Sequence, residues 1–181
     1  MSYLDFDYSL DFDSLDFRKN PEQYRMGRGE QGVLSVEPYK SEILAHWRFK
    51  NPKIAEQSSQ KIYEIFLGYI KDKDFVGADM ARKFLQMGWT RARRYANHKS
   101  GRKYSTIDKE NIGEVALGSR YKTMNNNLHA VKRKTKKVLP VDPDPEKAKA
   151  AEIFYQKYQQ AKDDPIYKQM ITDHKGMYPS K

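Results

Sequence analysis

A chain of 181 residues with a net charge of +10 and no cysteine has room for one domain with short tails, and none for disulfides or thiolate metal sites. Its hydrophobic share of 38% is low and its aromatic share of 13% is high, so a modest core rich in Tyr and Phe is expected. No apolar run approaches the ~20 residues that cross a bilayer, and the acidic start does not read as a signal peptide, so a cytoplasmic protein without a membrane partner is expected.

The charge is unevenly placed. Residues 1–17 hold five Asp and no base, whereas residues 81–141 hold sixteen Lys or Arg against three carboxylates. Such segregation is expected of an anion-binding surface, although a solvated basic face without a ligand has the same composition. His46, His98, His129 and His174 fall at no ligand spacing, so no metal and no cofactor is expected.

The opening LDFDYSLDFDSLDF alternates acidic and aromatic residues and reads as an arm over 1–17 that lays Phe and Tyr onto the body. Its Asp residues would also suit a stand-in for phosphate against the basic middle third. Gly27, Gly29 and Gly32 spell G-x-G-x-x-G, but the β-branched run follows the glycines instead of preceding them. The order is wrong for a dinucleotide site, and a glycine turn feeding a short strand is the better reading. Residues 37–44 read as a turn entering a short helix. Ala45 to Lys50 then alternates aromatic and basic residues, as a strand with Trp47 and Phe49 inward would, or as a base-stacking platform would. The strand reading is preferred.

Asn51 followed by Pro52 marks a helix start, and the apolar stripe from Ile54 to Ile70 carries it to about Lys71. Asp74 caps the next helix, over 76–97, and the short connection predicts an antiparallel pair. Met80, Phe84, Met87, Arg91 and Tyr95 line one side of that helix. Arg91 on such a stripe is expected to be buried against a carboxylate, with Glu30, Glu37 and Asp79 as candidates. Asn97 to Lys103 is a helix stop and a basic loop. Gly113 and Gly118 break the chain further on, and Lys132 to Lys137 is a dense basic block. Asp144 before Pro145 and Asp164 before Pro165 open two last helices. The division expected is an arm over 1–17, a core over 18–118, a flexible basic connector over 119–143, and C-terminal helices over 144–181 that pack on the core. The fold class is mainly α, with a minor strand element near 33–50.

The strings GEQGVLSVEPYKSEIL (29–44), HWRFK (46–50), DFVGADMARKFLQMGWTRARRYANHKSGRKY (74–104) and DPEKAKAAEIFYQKY (144–158) resemble an uncharacterised family. That family is a domain of unknown function found in bacteria, fungi and tailed phages. The resemblance covers most of 6–104 and the C-terminal helix and leaves 119–143 unmatched. It implies a phage-like, cytoplasmic accessory protein and no activity.

Function follows from charge more than from any motif. Arg82, Arg93, Arg94, Lys99, Arg102 and Lys103, extended by Lys132, Arg133 and Lys134, would contact the phosphates of DNA or RNA without reading sequence. Tyr95, Tyr104 and Trp89 are candidates to stack bases. No nucleophile or catalytic residue is identified, and an enzyme is the weaker alternative. Arg28, Glu30, Gln31, Glu37, Lys40, Arg91 and His98 supply a possible cleft for a phosphorylated or nucleic-acid substrate. An acidic partner protein docking on the basic face is the other alternative.

Overall fold

The computed structural model describes residues 6–105 and 138–179. Lys132, Arg133 and Lys134 lie outside the described residues. The protein is mainly helical, with α1 at Tyr39–Leu44, α2 at Pro52–Lys71, α3 at Phe75–Asn97, α4 at Pro145–Asp163 and α5 at Pro165–Met177. Four of these five begin at an Asx cap. The side chains of Asn51, Asp74, Asp144 and Asp164 accept from the backbone N–H of Ile54, Gly77, Lys147 and Tyr167, each satisfying an otherwise orphaned donor. Pro52, Pro145 and Pro165 follow three of the caps, where a missing N–H costs nothing.

Helix α3 is the centre. Every residue from Phe75 to Leu85 is buried, so this half of the helix is enclosed all round and not packed on one face. Three residues, Asp72 to Asp74, join α2 to α3 in an antiparallel pair, and Lys73 takes a φ of 57° in the turn. Helix α4 runs back along α3. Asp144 N donates to Ala96 O at 2.8 Å, and Phe154 lies so close over Gly88 that a Cβ there would meet its ring at 2.2 Å. Tyr167, just past α4, reaches the buried start of α3. The N-terminal segment closes the remaining side with Phe6, Phe17 and Tyr24, buried in the same cluster as Phe66, Phe84 and Phe154.

The strand element expected near 33–50 does not form, and the reason is local. Residues 30–35 wind into turns through Val33 N to Glu30 O and Ser35 N to Gly32 O, with Gly32 at φ 79°. Val33 and Val36 are buried together, three apart, which a strand would not allow. Residues 45–50 find their partner in a side chain of α2. Ser58 Oγ donates to His46 O at 2.6 Å and accepts from Arg48 N at 2.9 Å. These backbone groups are satisfied without a neighbouring strand.

Candidate functional site

The enclosed half of α3 contains charge. Asp79, Arg82 and Lys83, at i, i+3 and i+4, share one side of the helix, and all three are buried. Arg82 Nη2 lies 2.6 Å from Asp79 Oδ1, and Lys83 Nζ lies 3.5 Å from Oδ2. The Tyr24 hydroxyl donates to Oδ2, and the Tyr167 hydroxyl donates to Oδ1 at 2.5 Å. Arg82 also donates to Gln86 at 2.8 Å and to the Gly29 carbonyl at 3.3 Å, while Lys83 donates to the Gln31 carbonyl at 2.7 Å. Lys83 sits 5.4 Å from the Tyr24 ring centre and 5.8 Å from that of Phe6. Burial alone would raise the Asp79 carboxyl, but Arg82, Lys83 and the two hydroxyls outweigh it and hold it well below its ordinary value. Burial pushes Lys83 down and both tyrosines well up.

Arg82 is therefore removed from the expected phosphate contacts. It ties the glycine turn, α3 and α5 together inside the protein. Arg91, expected inside, is only half-buried and forms no ion pair among the described residues. Arg82 takes the buried, paired place expected of Arg91, because the packed face of α3 narrows after Leu85. Past Trp89, only Ala92 and Ala96 are buried, small residues four apart, as Gly88 is under Phe154.

At the end of α3 the charge turns outward. Arg93, Arg94, Lys99, Arg102 and Lys103 are all exposed, and none lies within ion-pairing distance of a carboxylate among the described residues. The loop carrying three of them is pinned. His98 is buried, and its Nδ1–H donates to the Pro140 carbonyl at 3.0 Å. Leu139 N donates to Lys103 O and Asp142 N to Asn97 O, both at 2.9 Å. The returning chain thus satisfies carbonyls that the helix end leaves open. Tyr104 is 42% exposed beside Lys103, whose Nζ is 5.5 Å from its ring centre. Trp89 packs on Tyr155 and Tyr158 of α4, with ring centres 4.8 and 5.8 Å away. That placement makes it a half-buried structural residue instead of a stacking surface.

Glu30, Gln31 and Glu37 of the expected cleft set each have local partners. Glu37 binds Lys40 at 2.5 Å and caps Ser41 at the start of α1. Burial pushes the Glu37 carboxyl up, and the bonds to Lys40 and Ser41 bring it below its ordinary value. Glu30 accepts from the Thr90 hydroxyl on α3 at 2.5 Å. Gln31 Oε1 accepts from the backbone N–H of Arg28 and Phe6, which braces the glycine turn. Glu30 and Glu37 are thus engaged at separate places, neither of them with Arg94. Among the described residues no group of His, Asp and Glu converges as metal ligands would.

Two cavities open among the described residues, and the second gathers Trp47 to Lys50 with Tyr95, which the sequence offers as base-stacking candidates. One, of about 670 Å³, lies between the α2–α3 turn and α5, with Arg18, Asp74, Met170 and His174 in its wall. The other, of about 550 Å³, is lined by Leu44, Trp47, Arg48, Phe49, Lys50, Tyr95 and Lys147 and adjoins the end of α3 through Tyr95. Among the described residues no helix is long and apolar enough to cross a membrane.

No curated protein and no solved structure matches the chain. A family model does match, over residues 7–177, which takes in the N-terminal segment, the buried charges of α3, its exposed exit and both C-terminal helices. The chain belongs to the family described as a domain of unknown function, DUF4385.

Proposed function

We propose that this protein binds nucleic acid through the phosphate backbone, without reading sequence, by the last turn of α3 and the loop after it. The observation that carries this is the set Arg93, Arg94, Lys99, Arg102 and Lys103, exposed within one short stretch and free of ion-paired carboxylates among the described residues. Arg94 in the last turn also complements the helix dipole, which accounts for one of the five. Among the described residues the other four form no ion pair, and Lys103 lies only against the exposed Tyr104 ring. The pinning of the loop by Pro140, Leu139 and Asp142 supports the reading, since a loop whose backbone is already held loses less freedom on binding.

A salt titration of binding to random single-stranded DNA, duplex DNA and RNA tests it. Log affinity should fall linearly with log salt, by about 0.9 per phosphate contact on duplex and about 0.7 on single strands. Affinity no tighter than that of an unrelated protein of equal net charge overturns the reading. Equal affinity for polyglutamate points instead to an acidic partner protein.

A further inference from the structure

The groove beside the α3 exit has a lining that the phosphate contacts do not explain. Of its seven lining residues, three are aromatic, three are cationic, one is Leu44, and none is acidic. The ring centres of Trp47 and Phe49 are 4.9 Å apart, and those of Phe49 and Tyr95 are 5.9 Å apart. The rings are held in place. The Trp47 indole N–H donates to the Phe84 carbonyl at 3.1 Å, and the Tyr95 ring packs against Gly101, where a Cβ would meet it at 2.5 Å. Tyr95 is nevertheless 37% exposed. Lys147 pairs with Asp144, whereas Arg48 donates only to the Leu44 and Trp47 carbonyls, so Arg48 and Lys50 are rim cations without an ion pair among the described residues.

We propose that this groove seats an unpaired nucleobase, so that the nucleic acid the protein takes is single-stranded. The inference rests on the reading that the α3 exit binds nucleic acid. An occupant that matches this lining has a flat apolar body and negative charge attached to it, which describes a nucleotide within a strand. Aromatic side chains stack on bases of any identity, and cations beside them follow the backbone. A duplex keeps its base faces inside its own stack and offers none to the groove. Continuity gives the path. Tyr95 follows Arg93 and Arg94 on α3, and its ring touches the loop that carries Lys99, Arg102 and Lys103. A strand whose phosphates run along those side chains passes the mouth of the groove.

The test compares oligothymidylate with a random duplex of equal length, on the full chain and on a Phe49→Leu/Tyr95→Leu variant. Leucine keeps apolar volume and removes the π faces. The pair should weaken oligothymidylate binding about tenfold per seated base and leave duplex binding unchanged. The chain has two tryptophans, so a Trp89→Phe background leaves Trp47 as the sole indole. Its fluorescence should be quenched by oligothymidylate and not by the duplex. If the double variant does not fold, Phe49→Leu with the same readout decides. Unchanged oligothymidylate affinity and no quenching, in a protein whose binding is weakened by reversing Arg93, Arg102 and Lys103, overturns the groove and leaves the backbone reading intact. No binding of either nucleic acid overturns both. Quenching by polyglutamate to the same extent assigns the groove to an acidic peptide and overturns the nucleobase.

Discussion

Asp79 and Arg82 meet inside the protein: Arg82 Nη2 is 2.6 Å from Asp79 Oδ1, and the two side chains are 0% and 6% exposed. Lys83 joins them, so one buried carboxylate answers two buried cations. Replacing Asp79 by Asn keeps the shape and removes the answering charge. The cost should be about 3–5 kcal/mol, because an uncompensated buried cation is the expensive product of breaking such a pair. Urea unfolding followed by circular dichroism measures it. A decrease below about 1 kcal/mol would show that the cluster is solvated.

Charge reversal separates inside from outside. Arg93→Glu, Arg102→Glu and Lys103→Glu together should leave the unfolding midpoint nearly unchanged, since all three side chains are exposed and unpaired among the described residues. The same triple change should reduce the salt slope of duplex binding by about 0.9 for each phosphate that the variant no longer neutralises. Arg82→Glu alone should prevent folding, by facing Asp79 with a second buried carboxylate.

Two glycines should respond in opposite directions to alanine. Gly68, in α2, has nothing within 4 Å of an added Cβ, so Gly68→Ala should stabilise by about 0.5–1 kcal/mol through helix propensity. Gly88 faces the Phe154 ring, and an added Cβ would lie 2.2 Å from it. That ring belongs to the closed core and has no open side to move into. Gly88→Ala should destabilise by about 1–3 kcal/mol. Thermal unfolding of the pair checks both signs.

Mild acid should weaken the fold through His174. It is buried, its Nε2–H donates to the Tyr24 carbonyl at 3.0 Å, and its ring lies against Tyr24, Phe75 and Tyr178. Burial holds its pKa below the usual 6.5, against smaller upward effects from the Tyr24 bond and Asp79. Below pH ~6.5 the unfolded chain therefore takes up a proton that the folded chain resists, and stability falls as pH drops. The urea midpoint should decrease from about pH 7.5 to about pH 5, and His174→Gln should flatten that decrease. Asp79 adds nothing in this range. Its depressed pKa contributes stability that is complete above the ordinary carboxylate value of 3.8 and disappears only as pH falls below it.

Much of the fold is legible along the chain because its signals are local. Asn51, Asp74, Asp144 and Asp164 cap helices at the positions read from sequence, since a cap depends on residues within three places of it. The conformation of 45–50 is not legible in the same way. Its alternation mimics a strand, whereas a single serine of α2 takes up the backbone groups. The Asp79–Arg82–Lys83 spacing is a visible sign of pairing in a segment with no other acid before Asp108.

What the sequence by itself determined was the helices, their starts, and the concentration of positive charge in the middle third. Which cations lie inside was decided by the tertiary structure. Arg82 and Lys83 are enclosed because Tyr24, Gly29 and Gln31 from one end of the chain and Tyr167 from the other close over the first half of α3. Arg93, Arg94, Lys99, Arg102 and Lys103 stay in water because that enclosure stops near Gly88. The aromatic groove likewise exists only where residues 47–50 meet Tyr95. Burial is a property of what surrounds a helix, and here the surroundings come from residues up to 88 positions away.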